Sequence, residues 1–219
     1  MAGTLHVYVK TAYEAECADE GGADRLILTG RDPDLTPEPD TVVKVRRASS
    51  VHLRVLLRLR PGYITDGGEM TRLKGLAFAF REAGADGFVF SFLNALSEID
   101  LTACRELAGD DTWGWTFDRA IDAALDQEQA WSELAGLPRV DSVLSAGSAR
   151  EVEYGLDRLI ARAHGPVPVV AAGGLRPDHV PWLARGGVDQ YAIPSSPAGA
   201  GAIRAWRRLI DDEVGRVRH

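Results

Sequence analysis

The segment Thr116-Phe117-Asp118-Arg119-Ala120-Ile121-Asp122 places two carboxylates and a guanidinium side by side, just after a β-like run and just before a helical pattern. The point where a strand gives way to its helix is where parallel α/β proteins carry their chemistry. Asp118 is the acid-base candidate, since a carboxylate there can act as a general base or hold a cation. An arginine beside it, Arg58 or Arg119, would keep it ionised. That lowers its basicity and favours a role as charge partner unless a ligand displaces the arginine.

Other polar residues stand at the ends of apolar runs: Lys10, Thr29, Arg58, Arg60, Ser91, Asn94, Arg119, Ser145, Gly173, Gly174, Ser195 and Ser196. Lys10, Arg58, Arg60, Arg119 and Arg176 would form a cationic cluster on an acidic protein, and an anionic ligand would supply the missing counter-charge. The competing reading is an ion network in which Arg58 and Arg60 pair with Asp118, Asp122 or Glu98. Ala171-Ala172-Gly173-Gly174-Leu175-Arg176-Pro177 ends one run with two glycines and opens a helix, with Pro177 suited to the first turn. Backbone N–H groups at Gly173 and Gly174, together with Ser195 and Ser196, could cradle phosphate or carboxylate.

Metal and nucleophile signals are weaker. His6, His52, His164, His179 and His219 form no pair at i, i+2 or i, i+4, so no metal site is expected from them. His6 alternates with Tyr8 and Lys10 and reads as a core histidine inside the fold. Cys17 and Cys104 fall on helical patterns as buried small hydrophobes. No G-x-S-x-G elbow accompanies a Ser-His-Asp order, and no resident cofactor is expected. The five tryptophans read as core packing.

Elements in a fixed alternation must position these groups. Apolar runs recur at Leu5 to Val9, Arg25 to Leu28, Val51 to Leu59, Gly87 to Phe92, Thr112 to Phe117, Val140 to Leu144, Val167 to Ala172 and Gln190 to Ile193. Helical spacing lies between them, as in Leu73, Leu76, Ala77 and Phe80. Three helix ends carry related text, Gly21-Gly22-Ala23-Asp24, Gly84-Ala85-Asp86 and Gly186-Gly187-Val188-Asp189, where glycine supplies the positive φ of a stop. Eight strand-helix units predict a parallel (β/α)8 TIM barrel, and 219 residues suffice for one. A doubly wound sheet is the alternative, but no G-x-G-x-x-G follows the first run. The loop Gly30 to Asp40 reads as a surface crossover, or else as a cover for the barrel mouth.

Composition narrows the classes. A single domain spanning residues 1–219 is expected, and a net charge of -7 argues against nucleic acid or anionic lipid as a partner. The apolar runs are far shorter than the roughly 18 to 20 residues of a membrane span. Met1-Ala2-Gly3-Thr4-Leu5 has neither a basic nor an apolar signal region, and the two cysteines form no C-x-x-C. A cytoplasmic location without disulfides is therefore expected.

Six stretches, in order, resemble the CutC family: Gly22-Ala23-Asp24-Arg25-Leu26, Leu35-Thr36-Pro37, Leu56-Leu57-Arg58-Leu59-Arg60, Thr116 to Asp122, Val143-Leu144-Ser145-Ala146-Gly147 and Ala172-Gly173-Gly174-Leu175-Arg176. The resemblance implies a TIM-barrel-like fold, a family name tied to copper homeostasis, and a homodimer. It also implies that family histidines are replaced here by Arg54, Asp118 and Ala192, and that the first two strands lack the family's glutamates and cysteines. Cu(I) prefers sulfur and accepts imidazole, so copper comes by family name only. The retained arginines, Arg58, Arg60 and Arg119, suit a small anionic metabolite better than a metal cation.

Two other functions stay open. One is an isomerase or lyase of the phosphate-binding barrels, because Ala171 to Val180 and Gly187-Val188-Asp189 are similar to phosphoribosylanthranilate isomerase, although the cysteine expected on the first strand is missing. The other is a binding or scaffold protein without turnover.

Overall fold

A parallel sheet is stable when helices cover its outer face, and eight such units can remove both sheet edges by closing into a ring. The computed structural model describes residues 3–31, 35–109, 113–195 and 199–217. Its strands are β1 (Thr4–Val9), β2 (Arg25–Leu28), β3 (His52–Leu56), β4 (Gly87–Phe90), β5 (Trp115–Phe117), β6 (Val140–Ser145), β7 (Val169–Ala171) and β8 (Gln190–Pro194). They pair in chain order, all parallel, and β8 returns to β1. This is the expected (β/α)8 barrel, and the closure between β8 and β1 excludes the doubly wound sheet. The α-helices are α1 (Ala12–Glu20), α2 (Pro39–Ala48), α3 (Gly67–Glu82), α4 (Leu101–Ala108), α5 (Gln127–Leu134), α6 (Leu156–Arg162), α7 (Val180–Arg185) and α8 (Ala200–Val217). Among the described residues no helix is long and apolar enough to cross a membrane.

Strand alternation divides the core in two. Leu5, Val7 and Val9 of β1 join the large cluster between sheet and helices, whereas Tyr8 packs on the smaller cluster inside the ring, formed by Ile27, Leu56, Val89, Leu144, Val170, Ala172 and Ala192. The glycine stops behave as expected: Gly22, Gly84 and Gly187 have φ of 86°, 98° and 91°. The aspartates after two of them tie the lower rim together. Asp24 accepts from the Leu5 backbone N–H at 2.7 Å, and Asp86 accepts from that of Leu53 at 2.7 Å.

The lower layer of the ring is polar. Arg54, fully buried on β3, forks onto Asp141 of β6 and also donates to Thr116. Glycines let the strands close up around the pair: a Cβ on Gly114 would stand 2.4 Å from an Asp141 oxygen, and one on Gly87 would stand 2.6 Å from Gly114 O. Arg25 shares the same carboxylate at 3.9 Å. Two guanidiniums on one carboxylate leave excess positive charge, and burial together with Arg54 lowers Arg25 to about 10.

His6 sits in this layer without exposure, and neither ring nitrogen has a partner; Gln190 stands near without closing a well-formed hydrogen bond. Burial, then Arg25 and Arg54, hold its pKa well below 6.5. The folded chain therefore keeps His6 neutral while the unfolded chain gains a proton below pH 6.5. This contribution is intact above that pH and is lost as pH falls below it. Denaturant titrations should show stability declining from about pH 6.5 downward, with a smaller decline in His6→Gln. Equal slopes in both chains would remove His6 as the cause.

Two expectations need correction. The third apolar run was expected to remain a strand to Leu59, but β3 ends at Leu56. The Arg58 N–H turns to the Thr36 hydroxyl at 2.7 Å, and that hydroxyl donates back to Arg58 O at 2.8 Å. The same contact pins the far end of the Gly30 to Asp40 loop, of which residues 32–34 lie outside the described residues. Nor are all tryptophans core. Trp115 is fully buried and stacks on Phe90 at 4.2 Å, but Trp182 on the six-residue α7 is 62% exposed beneath Arg185.

Candidate functional site

The upper layer of the ring opens into a cavity of about 610 Å³ at the C-terminal ends of the strands. Its floor is apolar, from Leu56, Val89 and Ala192 of the middle layer. Its walls carry Lys10 from the end of β1, Thr29 from β2, Arg58 from β3, Asp118 and Arg119 from β5, and Gly173 and Gly174 from β7. Ser195, whose N–H donates to Tyr8 O at 2.9 Å, completes the rim. Ser196 lies outside the described residues.

Asp118 forms a buried ion pair with Arg58, whose guanidinium also lies 4.7 Å from the Tyr63 ring centroid. The charge-partner role is thus the one its geometry displays. Tyr63 is half-buried at the cavity wall, and burial followed by the Asp118 charge raises its pKa above 10.0. It is a neutral phenol at physiological pH.

Arg119 is held from two sides. Its Nε donates to Asp122 at 3.1 Å and its Nη2 to Arg150 O at 2.7 Å. Nη1 lies over Gly173, where a Cβ would stand only 2.3 Å away. Gly173, with φ of 93°, is a position that admits the guanidinium. Gly174 similarly admits Glu151, since a Cβ there would meet its Cδ at 2.7 Å. Both glycine faces are therefore covered by side chains.

Asp122 anchors this arrangement from behind the wall. It accepts from Ser145 Oγ at 2.6 Å and from the Ala146 N–H at 2.8 Å. Burial raises its pKa, opposed by those hydrogen bonds and by Arg119. Ser145 consequently points away from the mouth and borders a separate hollow of about 700 Å³ between α5 and α6.

The structure brings Lys10, Arg58, Asp118, Arg119, Gly173, Gly174 and Ser195 together but leaves Arg60 out. Arg60 pairs with Glu69 at 3.1 Å and Asp66 at 3.3 Å, at the start of α3. Arg176 likewise pairs outside the cavity, with Glu153 at 2.9 Å. Glu98 takes no part in these pairs; it accepts from Asn94 at 2.9 Å. Tyr63 and Arg150 are wall residues that strand-end reasoning missed, because both stand on loops. The signal available for Tyr63 was its place five residues after Arg58, within reach of the same mouth.

Among the described residues no three His, Cys, Asp or Glu side chains come together as a metal-binding group. Cys17 and Cys104 are buried on α1 and α4, and burial pushes the Cys104 thiol up to about 12. Arg54 lies in the lower layer, Ala192 in the floor and Asp118 in the upper wall, so the three positions at which the resemblance implied histidine offer one carboxylate, already paired with arginine.

Several known proteins share this architecture. The CutC structure from Streptococcus agalactiae superposes with a TM-score of 0.78 at 17% identity, covering 88% of this chain and 98% of that one. Thiamine phosphate pyrophosphorylase from Pyrococcus furiosus reaches 0.64, also at 17% identity, with 99% and 97% coverage. At such identities the likeness concerns the fold alone. In sequence, the family protein CutC of Chromobacterium violaceum is 31% identical over 89% of this chain and 92% of its own length. The corresponding protein of Klebsiella pneumoniae strain 342 is 30% identical over 81% and 75%. The family model described as CutC matches residues 4–195, and the chain belongs to the CutC family.

Proposed function

We propose that this CutC family barrel is a cytoplasmic protein whose mouth binds a small anionic metabolite. The observation that carries the reading is the charge of the wall: among the described residues it holds Lys10, Arg58, Arg119 and Arg150 against Asp118 alone, with Asp122 behind it. No carboxylate among the described residues pairs with Lys10 or Arg150, whereas Arg58 and Arg119 are fixed by theirs. Cations held over a low-dielectric floor attract an anion more strongly than they would in water. Copper handling reaches this chain through its family. The mouth's oxygen and guanidinium groups are poor donors for Cu(I), so any part in copper homeostasis is supported by membership and not by this site.

Calorimetric titration of benzoate and inorganic phosphate at low ionic strength tests the proposal. At least one should bind, and Arg119→Ala or Lys10→Ala should weaken it about tenfold or more, the value of one charge-assisted hydrogen bond. Failure of both anions to bind, or affinities untouched by both substitutions, would contradict it.

A further inference from the structure

Arg150 differs from the other arginines of the mouth in how it is held. Arg58 is bound to Asp118, and Arg119 has committed Nε to Asp122 and Nη2 to Arg150 O. The Arg150 guanidinium makes neither an ion pair nor a hydrogen bond among the described residues; it lies over the Tyr154 ring, 5.3 Å from the centroid. Such stacking engages the face of a guanidinium and leaves its in-plane N–H groups free. Arg150 lines the cavity, so an anion entering the mouth meets one guanidinium with its full set of donors.

The backbone beneath it is fixed. Arg150 N donates to Ser148 Oγ at 3.2 Å, and that hydroxyl donates to Glu151 O at 2.8 Å. Arg150 O accepts from Arg119 Nη2 at 2.7 Å, and Val152 N donates to Gly173 O at 2.9 Å. Gly147 and Gly155 close the base of the segment, since a Cβ on Gly147 would stand 2.2 Å from Gly155 O and one on Gly155 would stand 2.0 Å from Ala146 O. The segment is thus tied to the mouth through residues that follow β5 and β7, while the Arg150 side chain stays exposed. Tyr154 is 62% exposed and stands outside the core clusters. Its ring adds little to the core and instead holds the guanidinium in place, which reduces the ordering cost of binding.

We infer that Arg150 sets the specificity of the mouth by donating two parallel N–H groups to two oxygens of the ligand, and that Tyr154 is the positioning residue that presents it. Both roles rest on the anion-binding reading of the same cavity. A planar guanidinium fork matches the spacing of carboxylate or phosphate oxygens, whereas an ammonium offers a point charge. The mouth therefore prefers an anion with two oxygens side by side over a spherical anion.

The probes are benzoate, inorganic phosphate and iodide, titrated calorimetrically into the full chain and into Arg150→Ala, Arg150→Lys, Tyr154→Phe and Tyr154→Leu. In the unaltered chain benzoate or phosphate should bind about tenfold tighter than iodide, the worth of one charge-assisted hydrogen bond. Arg150→Ala should weaken the oxyanion about tenfold or more, and Arg150→Lys should leave most of that loss in place. Tyr154→Leu should weaken it about threefold, the worth of an exposed cation–π contact, and Tyr154→Phe, which keeps the ring, should bind as the unaltered chain does. Both side chains are exposed, so these variants should stay folded. Iodide bound as tightly as the oxyanions, or oxyanion affinity kept in full by Arg150→Lys, would overturn the specificity role. Equal affinities in Tyr154→Leu and Tyr154→Phe would overturn the positioning role. Binding weakened by Arg119→Ala but not by Arg150→Ala would overturn the inference and leave the anion-binding mouth standing. Absence of benzoate and phosphate binding in the unaltered chain would remove both.

Discussion

An Asp141→Ala chain should lose about 3 kcal/mol of folding stability, seen as a fall in Tm of roughly 6–12 °C for a protein of this size. The cause is the cation it abandons. The Arg54 side chain is 2% exposed and forks onto Asp141, so removing the carboxylate leaves a guanidinium inside the ring with only Thr116 as a partner. Arg25, which shares Asp141, loses its weaker contact as well. The lower end of the usual range for breaking a buried pair applies, because the Asp141 side chain is 40% exposed and water can partly replace it. Removing both charges should cost much less: an Arg54→Met, Asp141→Leu double replacement should recover most of the loss. Thermal unfolding of the two variants beside the unaltered chain checks this. An Asp141→Ala chain as stable as the parent would show that the lower-layer pair contributes nothing to folding.

The second large effect is expected at Asp122, where stability and binding should fall together. Its carboxylate accepts from Ser145 Oγ, from the Ala146 N–H and from Arg119 Nε, and its side chain is 4% exposed. Asp122→Ala strands all three donors, for a loss of about 2–4 kcal/mol. It also frees Arg119 from its place over Gly173, so anion affinity should drop at least tenfold. Asp122→Asn keeps the size of the side chain and an oxygen for the Ala146 N–H but loses the charge facing Arg119. It should recover much of the stability and little of the affinity. Denaturant melts paired with titrations separate the two effects. Full anion affinity in a folded Asp122→Asn chain would mean that Arg119 needs no anchor, or binds nothing.

The architecture was legible because alternation survives closure of the sheet. Eight apolar runs gave eight strands, and the inward phase of His6 and Tyr8 on β1, continued by Lys10 just after it, holds from the lower layer to the mouth. The site was legible where a charged residue closely follows a strand, as Asp118 and Arg119 follow β5. It was not legible where the backbone leaves the sheet early. Reading β3 as a strand to Leu59 gave Arg58 and Arg60 the same inward phase, but the strand ends at Leu56 and Arg60 is captured by Asp66 and Glu69 instead. Ser145 stands at a strand end as expected, yet Asp122 draws its hydroxyl behind the wall. The Arg54–Asp141 pair joins residues 87 positions apart, and neither residue's local pattern announces the other. Seen alone, Arg54 marked only a histidine replaced; its role as the centre of the polar lower layer is a product of ring closure.

Anomalous diffraction from crystals soaked in selenate tests the central claim most directly, because it locates an oxyanion without prior choice of metabolite. The account predicts a selenium peak in the barrel mouth within hydrogen-bond reach of Arg119 Nη1 and Lys10 Nζ, and its loss in Arg119→Ala crystals. Peaks confined to the outer surface, or a mouth peak that remains in Arg119→Ala, would contradict it.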